Sequence, residues 1–305
     1  MRTIPPVTKN LLIINILMYV ATEVLVRTGV DLRDILGLHF FLAPDFKVYQ
    51  LITYIFMHGD LTHIFFNMFA LWMFGCVIER VLGSKKFLIY FLVCGIGAGI
   101  IQEAAQFANY SIDNLAAYST VNYDGEVIAM SDYLNKWTTV GASGAIYGIL
   151  LAFGMLFPEE RIFIFPLPIP IKAKWFVLIY AAIELFFALN QTGDGVAHVA
   201  HLGGMFFGFL LIRYWQHHPG SAGFGTGGGR QFFDNMRSSW EKRSHKPAGP
   251  SRPADPTPQE TDWEYNARKK AEQDEIDRLL DKIRMSGNDS LTDQEKRRLF
   301  ESGKD

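Results

Sequence analysis

The sequence predicts an all-α membrane protein, a bundle of six transmembrane helices followed by a mostly flexible cytoplasmic tail that contains short helices. Three observations carry this. The 305-residue chain is 49% hydrophobic, yet its long apolar runs all lie between Asn10 and about Trp215, and charged residues, Gly, Pro and Ser take over from His217 to Asp305. Six runs approach or reach the ~20 helical residues that cross a hydrocarbon core of ~30 Å. Polar residues inside three of those runs fall at one depth.

The first run, Asn10–Val26, follows "MRTIPPVTKN", which lacks a small-residue cleavage site before a new domain and so reads as an anchor rather than a removed signal peptide. Leu61–Leu82, Phe87–Phe107, Thr139–Phe157, Trp175–Leu189 and Val196–Trp215 are the next five, the fifth run being the shortest. Residues 1–216 therefore read as a membrane domain, 217–260 as a Gly/Pro-rich cytoplasmic linker and 261–305 as a small cytoplasmic helical segment. In that last segment Ile276, Leu279, Leu280 and Ile283 make an amphipathic stripe, and "TDQE" at 292–295 is a capping-box signal. The tail's partner is not legible.

A net charge of −2 gives no basic field for nucleic acid. Cys76 and Cys94 both sit in apolar runs, without the number or spacing of a disulfide framework or zinc site. Orientation follows from the flanking Lys and Arg. One set of ends holds Arg2, Lys9, Arg80, Lys85, Lys86, Arg161, Lys172 and Lys174, against Arg27, Arg33, Lys47 and Lys136 on the other. Both termini are thus expected in the cytoplasm, and spans two, four and six begin at the outer surface.

Those three spans carry the unusual residues. Ser143 lies four residues past Thr139, His201 five past Val196, and His63 and Asn67 two and six past Leu61. All four fall roughly 3–9 Å inside the outer boundary. Polar groups there are expensive and face the bundle interior. Read alone, Ser143 is a packing residue. Level with His201 it supplies nucleophilic catalysis: the imidazole takes the hydroxyl proton during attack and returns it to the leaving amine. Gly204 and Gly208 follow His201 at i+3 and i+7, and Gly144 and Gly148 lie beside Ser143, so both helices present small faces that permit close approach. His63, Asn67 and the Ser143 N–H are candidate oxyanion donors. Tyr147, at i+4 from Ser143, is placed to pack on the His201 ring. With no Asp or Glu at this depth in spans two, four or six, a two-residue Ser143–His201 dyad is the economical reading. A metal site on His198 and His201 is disfavoured, since the chain has no H-E-x-x-H.

These motifs resemble the rhomboid family of intramembrane serine proteases. "GASGAIYG" at 141–148 is similar to the family's G-x-S-G-x-x-Y/F, which places the nucleophile at Ser143 and includes Gly141 and Gly144. "AHLGGMFFG" at 200–208 resembles A-H-x-x-G-x-x-x-G, with the base at His201; His198 lacks the glycines at +3 and +7. "HIFFN" at 63–67 is similar to the H-x-x-x-N oxyanion segment, and "ERVLGS" at 79–84 to the turn after the second span. The resemblance implies a rhomboid-like six-helix bundle in the cell (inner) membrane, with a wet cavity opening outward. It also implies cleavage in or near transmembrane segments of other proteins, lateral substrate entry beside spans two and five, and neither cofactor nor metal. A catalytically dead relative that binds transmembrane helices is the alternative.

The chain departs from the family in lacking a tryptophan before Trp72, so the Trp-Arg pair of some members' first outer loop is absent. The long outer segment 108–137 bears Asp113, Asp124, Glu126 and Asp132 against Lys136 alone; it reads as a plain solvated loop, with a role in shaping substrate access as the alternative. Glu184, inside the fifth span, either lines the wet cavity or pairs with a neighbour, and the sequence leaves both open.

Overall fold

In the computed structural model, residues 3–163, 170–190 and 196–218 are described, together with Arg278, Leu279, Lys282, Thr292 and Glu295. The chain divides into two compact units, Met1–Ser244 and His245–Asp305. Six long helices are present among the described residues: α1 (Pro6–Leu25), α2 (Leu61–Leu82), α3 (Ser84–Ile112), α4 (Ser143–Leu156), α5 (Ala173–Asn190) and α6 (His198–His217). The α2 ladder widens to a π-helical segment at Leu71–Gly75.

By length and composition, four of these helices can cross a membrane: α1 with its 3-10 extension to Thr28, α2, α3 and α5. That is two fewer than the six runs predict. The α4 helix is apolar but has only 14 residues. The α6 helix is long enough, yet its glycines and polar residues dilute its hydropathy.

Burial in α1 is inverted relative to a water-soluble helix. Thr8, Asn15 and Thr22 are buried while Ile13, Leu17, Val20 and Val24 are exposed. An apolar exterior around hydrogen-bonded polar groups is what a hydrocarbon solvent selects. Asn15 Nδ2 donates to the Leu11 carbonyl at 2.8 Å and Thr22 Oγ1 to that of Met18 at 2.8 Å. The first turn of α1 begins after Pro5, which offers no side-chain cap. Glu79, near the end of α2, supplies it instead. Its buried carboxylate accepts from the amides of Val7 (3.0 Å) and Thr8 (2.6 Å), from Thr8 Oγ1 (2.7 Å) and from Ser84 Oγ (2.7 Å). The "ERVLGS" turn thereby ties three helices together.

The centre of the bundle is the mutual packing of α3, α4 and α6. Small residues make it possible. A Cβ on Gly144 would lie 2.4 Å from that of Ala98, and one on Gly148 would lie 2.5 Å from Cys94 Sγ. At Gly204 a Cβ would meet the Gly144 carbonyl oxygen at 1.9 Å, and at Gly208 the Tyr90 hydroxyl at 2.4 Å. Close approach exposes polar backbone to side chains, and Tyr90 Oη donates to the Gly148 carbonyl at 2.7 Å.

The segment 108–137 is folded rather than a plain solvated loop. After α3 ends, β2 (Thr120–Tyr123) and β3 (Glu126–Ala129) form an antiparallel hairpin closed by Asp124-Gly125, both at positive φ. Asp-Gly is the pair that such a turn requires. A short helix, Met130–Asn135, then buries Met130 and Leu134 against Phe40 and Ala43. The chain returns through β4 (Thr138–Thr139), which pairs antiparallel with β1 (Leu38–His39), Leu38 opposite Thr139. On the other side of α4, β5 (Arg161–Phe163) pairs with β6 (Pro170–Lys172).

The expected linker lies outside the described residues from 219 onward, as do Ile276, Leu280 and Ile283 of the stripe. In the second unit Arg278, Leu279, Lys282 and Glu295 are helical. Thr292 and Glu295 cap reciprocally: the Thr292 amide donates to Glu295 Oε2 at 2.8 Å, and the Glu295 amide to Thr292 Oγ1 at 3.4 Å. Lys282 Nζ lies 2.9 Å from Glu295 Oε1.

Candidate active site

Ser143 is the first residue of α4, and what precedes it sets its position. The strand β4 leads into Gly141, whose amide donates to the Tyr54 carbonyl at 2.9 Å and whose φ is +127°. Only glycine adopts that conformation freely. A side chain would also have no room, since a Cβ there would lie 2.7 Å from His63 Nε2 and 3.6 Å from Ser143 Oγ. The Ser143 N–H is among the first four amides of a helix, for which no intrahelical acceptor exists.

His201 comes from the first turns of α6 and is buried. Its Nε2 lies 2.8 Å from Ser143 Oγ, within the ~2.6–3.2 Å that proton transfer needs. The Tyr147 ring stacks on the imidazole, with centroids 4.2 Å apart and planes 9° from parallel. Gly204, one turn past His201, packs directly on the backbone of Gly144, the residue after Ser143, so the two helices approach closely beside this pair.

Asp60 caps α2 by accepting from the His63 amide at 2.8 Å. The Gly59 amide donates to His63 Nδ1 at 3.3 Å. With Nδ1 as acceptor, the ring proton sits on Nε2, the atom facing Gly141. Asn67 Nδ2 donates one hydrogen to the His63 carbonyl at 2.8 Å. His63, Asn67, Gly141, Ser143, Tyr147 and His201 all line one cavity of about 1530 Å³.

The rhomboid domain model matches residues 45–217, more than half of the chain. The chain belongs to the rhomboid family. The rhomboid protease AarA of Providencia stuartii is 30% identical over 158 residues, 51% of this chain and 51% of that protein. The mitochondrial rhomboid protein 1 of Saccharomyces cerevisiae is 28% identical over 164 residues, 52% of this chain and 39% of the relative. The human mitochondrial presenilin-associated rhomboid-like protein is 30% identical over 164 residues, 52% of this chain and 36% of the relative. The chain thus spans about half the length of AarA and less of the other two. Residues 259–304 match a family of unknown function, DUF6576. A rhomboid domain built on apolar helices makes the chain an integral membrane protein.

The rhomboid domain also holds groups outside the three motifs, and of the two readings left open for Glu184 the structure shows pairing with its neighbours. Glu184 of α5, 5% exposed, lies with Oε2 2.9 Å from His201 Nδ1 and 2.6 Å from His198 Nδ1. Its Oε1 accepts from Tyr147 Oη. Spans two, four and six carry no acid at this depth, and this one arrives from the fifth. Gln102 and Gln106 of α3, one turn apart, line the cavity as well, each with a buried side-chain oxygen that has no hydrogen-bond partner among the described residues. Their i, i+4 spacing in an apolar helix was the available signal. Glu184, His198 and His201 are also the one group among the described residues whose ligand atoms cluster within metal-binding reach, all within 4.8 Å of one another.

Proposed function

We propose that the protein is an intramembrane serine endopeptidase that hydrolyses peptide bonds in or near transmembrane segments of other membrane proteins. The observation that carries this is the 2.8 Å contact between Ser143 Oγ and His201 Nε2 inside a cavity walled by apolar helices. Ser143 attacks the scissile carbonyl as its proton passes to His201 Nε2. The tetrahedral oxyanion is received by the Ser143 N–H, His63 and Asn67. His201 then protonates the departing amine, and a water, activated by the same nitrogen, releases the acyl group. Tyr147 fixes the plane of the ring. Gly141, Gly144, Gly204 and Gly208 hold the backbones close enough for the transfer. No cofactor enters the scheme.

In the proposed arrangement α1 to α6 each cross the bilayer, both termini are cytoplasmic and the cavity opens outward. The membrane is that of the cell (inner membrane), and substrates reach the site from the lipid. The names of AarA and of the yeast and human relatives support a place in this family, and the lysine and arginine asymmetry supports the orientation.

The test is cleavage of a model transmembrane substrate by the purified full chain in lipid vesicles, comparing wild type with Ser143→Ala and His201→Ala. Both variants should lose cleavage while binding substrate. His198→Ala should retain much more activity than His201→Ala. Cleavage by Ser143→Ala would sink the serine mechanism. A wild type that binds transmembrane helices without cutting any would favour the inactive-relative reading.

A further inference from the structure

We infer that Glu184 is a positioning residue for His201, making the site a Ser143–His201–Glu184 triad whose third member comes from α5. The inference rests on the reading of Ser143 as nucleophile and deepens it.

One imidazole bridges the two partners, Nε2 at 2.8 Å from Ser143 Oγ and Nδ1 at 2.9 Å from Glu184 Oε2. Neutral imidazole carries a single N–H, and a carboxylate only accepts. The proton therefore sits on Nδ1, which leaves the Nε2 lone pair facing the serine hydroxyl. That is the one tautomer able to act as a base here. When Ser143 Oγ bonds to the scissile carbon, its proton moves to Nε2 and the ring becomes an imidazolium beside the carboxylate. When the carbon–nitrogen bond breaks, that proton leaves with the amine. Glu184 takes no proton at any step and acts only on the orientation and charge of the ring.

The carboxylate is itself held. Tyr147 Oη donates to Oε1 and His198 Nδ1 to Oε2 at 2.6 Å, so Tyr147 both stacks on His201 and anchors the acid behind it. The face of Tyr147 also favours the imidazolium over the neutral ring. This explains a residue that packing does not require. The other buried positions of α5, Ala173, Phe176 and Val177, lie two or more turns away toward its start. A carboxylate inside a membrane helix is costly unless paired, and its three donors among the described residues are all groups at the site. Both imidazole contacts are of hydrogen-bond length and converge on a single oxygen, which favours proton-sharing over a metal held between the rings.

The experiment measures kcat and KM for the full chain in vesicles, for wild type, Ser143→Ala, Glu184→Gln and Glu184→Asp, each with and without EDTA, alongside thermal unfolding. Glutamine keeps the shape and the Tyr147 contact, but its amide can donate to Nδ1 and so favours the wrong tautomer. Glu184→Gln should lower kcat about 10²-fold or more, as loss of the acid does in other triads, with KM changed less than about threefold. Glu184→Asp should recover at least about tenfold of that loss. Should Glu184→Gln unfold, the comparison of Glu184→Asp with Glu184→Ala carries the test, and equal activities overturn the proposal. A folded Glu184→Gln within about threefold of wild-type kcat, with Ser143→Ala inactive, overturns the positioning role and leaves the serine mechanism standing. Loss of wild-type cleavage in EDTA overturns it in favour of a metal on Glu184, His198 and His201. Cleavage by Ser143→Ala removes the underlying reading itself.

Discussion

Gly204→Ala tests whether the glycine faces exist to deliver the histidine to the serine. A methyl at Gly204 would lie 1.9 Å from the Gly144 carbonyl oxygen, 2.6 Å from its carbon and 3.1 Å from its Cα. That is about 1.5 Å inside ordinary van der Waals contact, and all three atoms are backbone, so no rotamer can yield. The helices α4 and α6 must separate by roughly 1 Å or more, at a cost of about 1–3 kcal/mol for overpacking. Ser143 and His201 lie next to this crossing, and their 2.8 Å bond would lengthen out of proton-transfer range. A misplacement of ~1 Å costs ~10²-fold in rate. The expected result is thus a protein that still folds, unfolds at lower temperature, and cleaves a transmembrane substrate about 10²-fold more slowly at similar KM. Gly208→Ala displaces the Tyr90 hydroxyl rather than backbone, two turns from His201, and should cost less activity. Full activity and an unchanged unfolding midpoint in Gly204→Ala would refute the close-packing argument.

Gly141→Ala forces a side chain into a φ of +127° and against His63 Nε2, so its kcat should fall by tenfold or more, a roughly 1.4 kcal/mol effect, as the oxyanion donor is pushed aside. An unaltered kcat would remove His63 from the site. Glu79→Ala deletes the acceptor for three hydrogen bonds from the first turn of α1 and one from Ser84 at the start of α3, and should destabilise the domain by about 3 kcal/mol, read as a lowered midpoint with KM unchanged. Retention of the midpoint would mean that water replaces the carboxylate. His58, ahead of α2, should make the fold acid-sensitive. Burial, aided by the neighbouring His63, holds its imidazole at about 3, against an ordinary 6.5. Below pH 6.5 the unfolded chain binds a proton that the folded one refuses, so stability is complete above that pH and declines as pH falls toward 3, by about 1 kcal/mol at pH 5.5. The drop in midpoint between pH 7 and 5.5 should shrink in His58→Phe, and an equal drop would assign the acid sensitivity elsewhere.

Motif and depth brought Ser143, His201, His63 and Asn67 together from the sequence because all four are fixed by position along their own helices. A residue's distance from the membrane boundary is a local property, readable at ~1.5 Å per residue. Glu184 was visible as an ionisable group in an apolar helix, but its partners were not. They depend on the rotation of α5 about its own axis, which no local pattern specifies. The segment 108–137 shows a different loss. Its Asp-Gly turn was a local signal, but the reason it folds is the burial of Met130 and Leu134 on Phe40, some 90 residues earlier in the chain. The count of long apolar helices departs from the six runs at α4, which is apolar but only 14 residues long, and at α6, whose glycines and polar residues lower its hydropathy.

The shortness of α4 has a consequence for solvent. Fourteen residues rise only about 21 Å, some two turns less than the hydrocarbon thickness. The chain that makes up the difference before Ser143 is extended, tied to β1 and to the Tyr54 carbonyl rather than wound on itself. Non-helical backbone at that depth survives only where protein buries it or water reaches it. In the proposed mechanism the two missing turns recess Ser143 below the membrane surface and leave the path by which the water of hydrolysis would reach it, so that a shortened helix would set both the depth of the serine and its access to solvent.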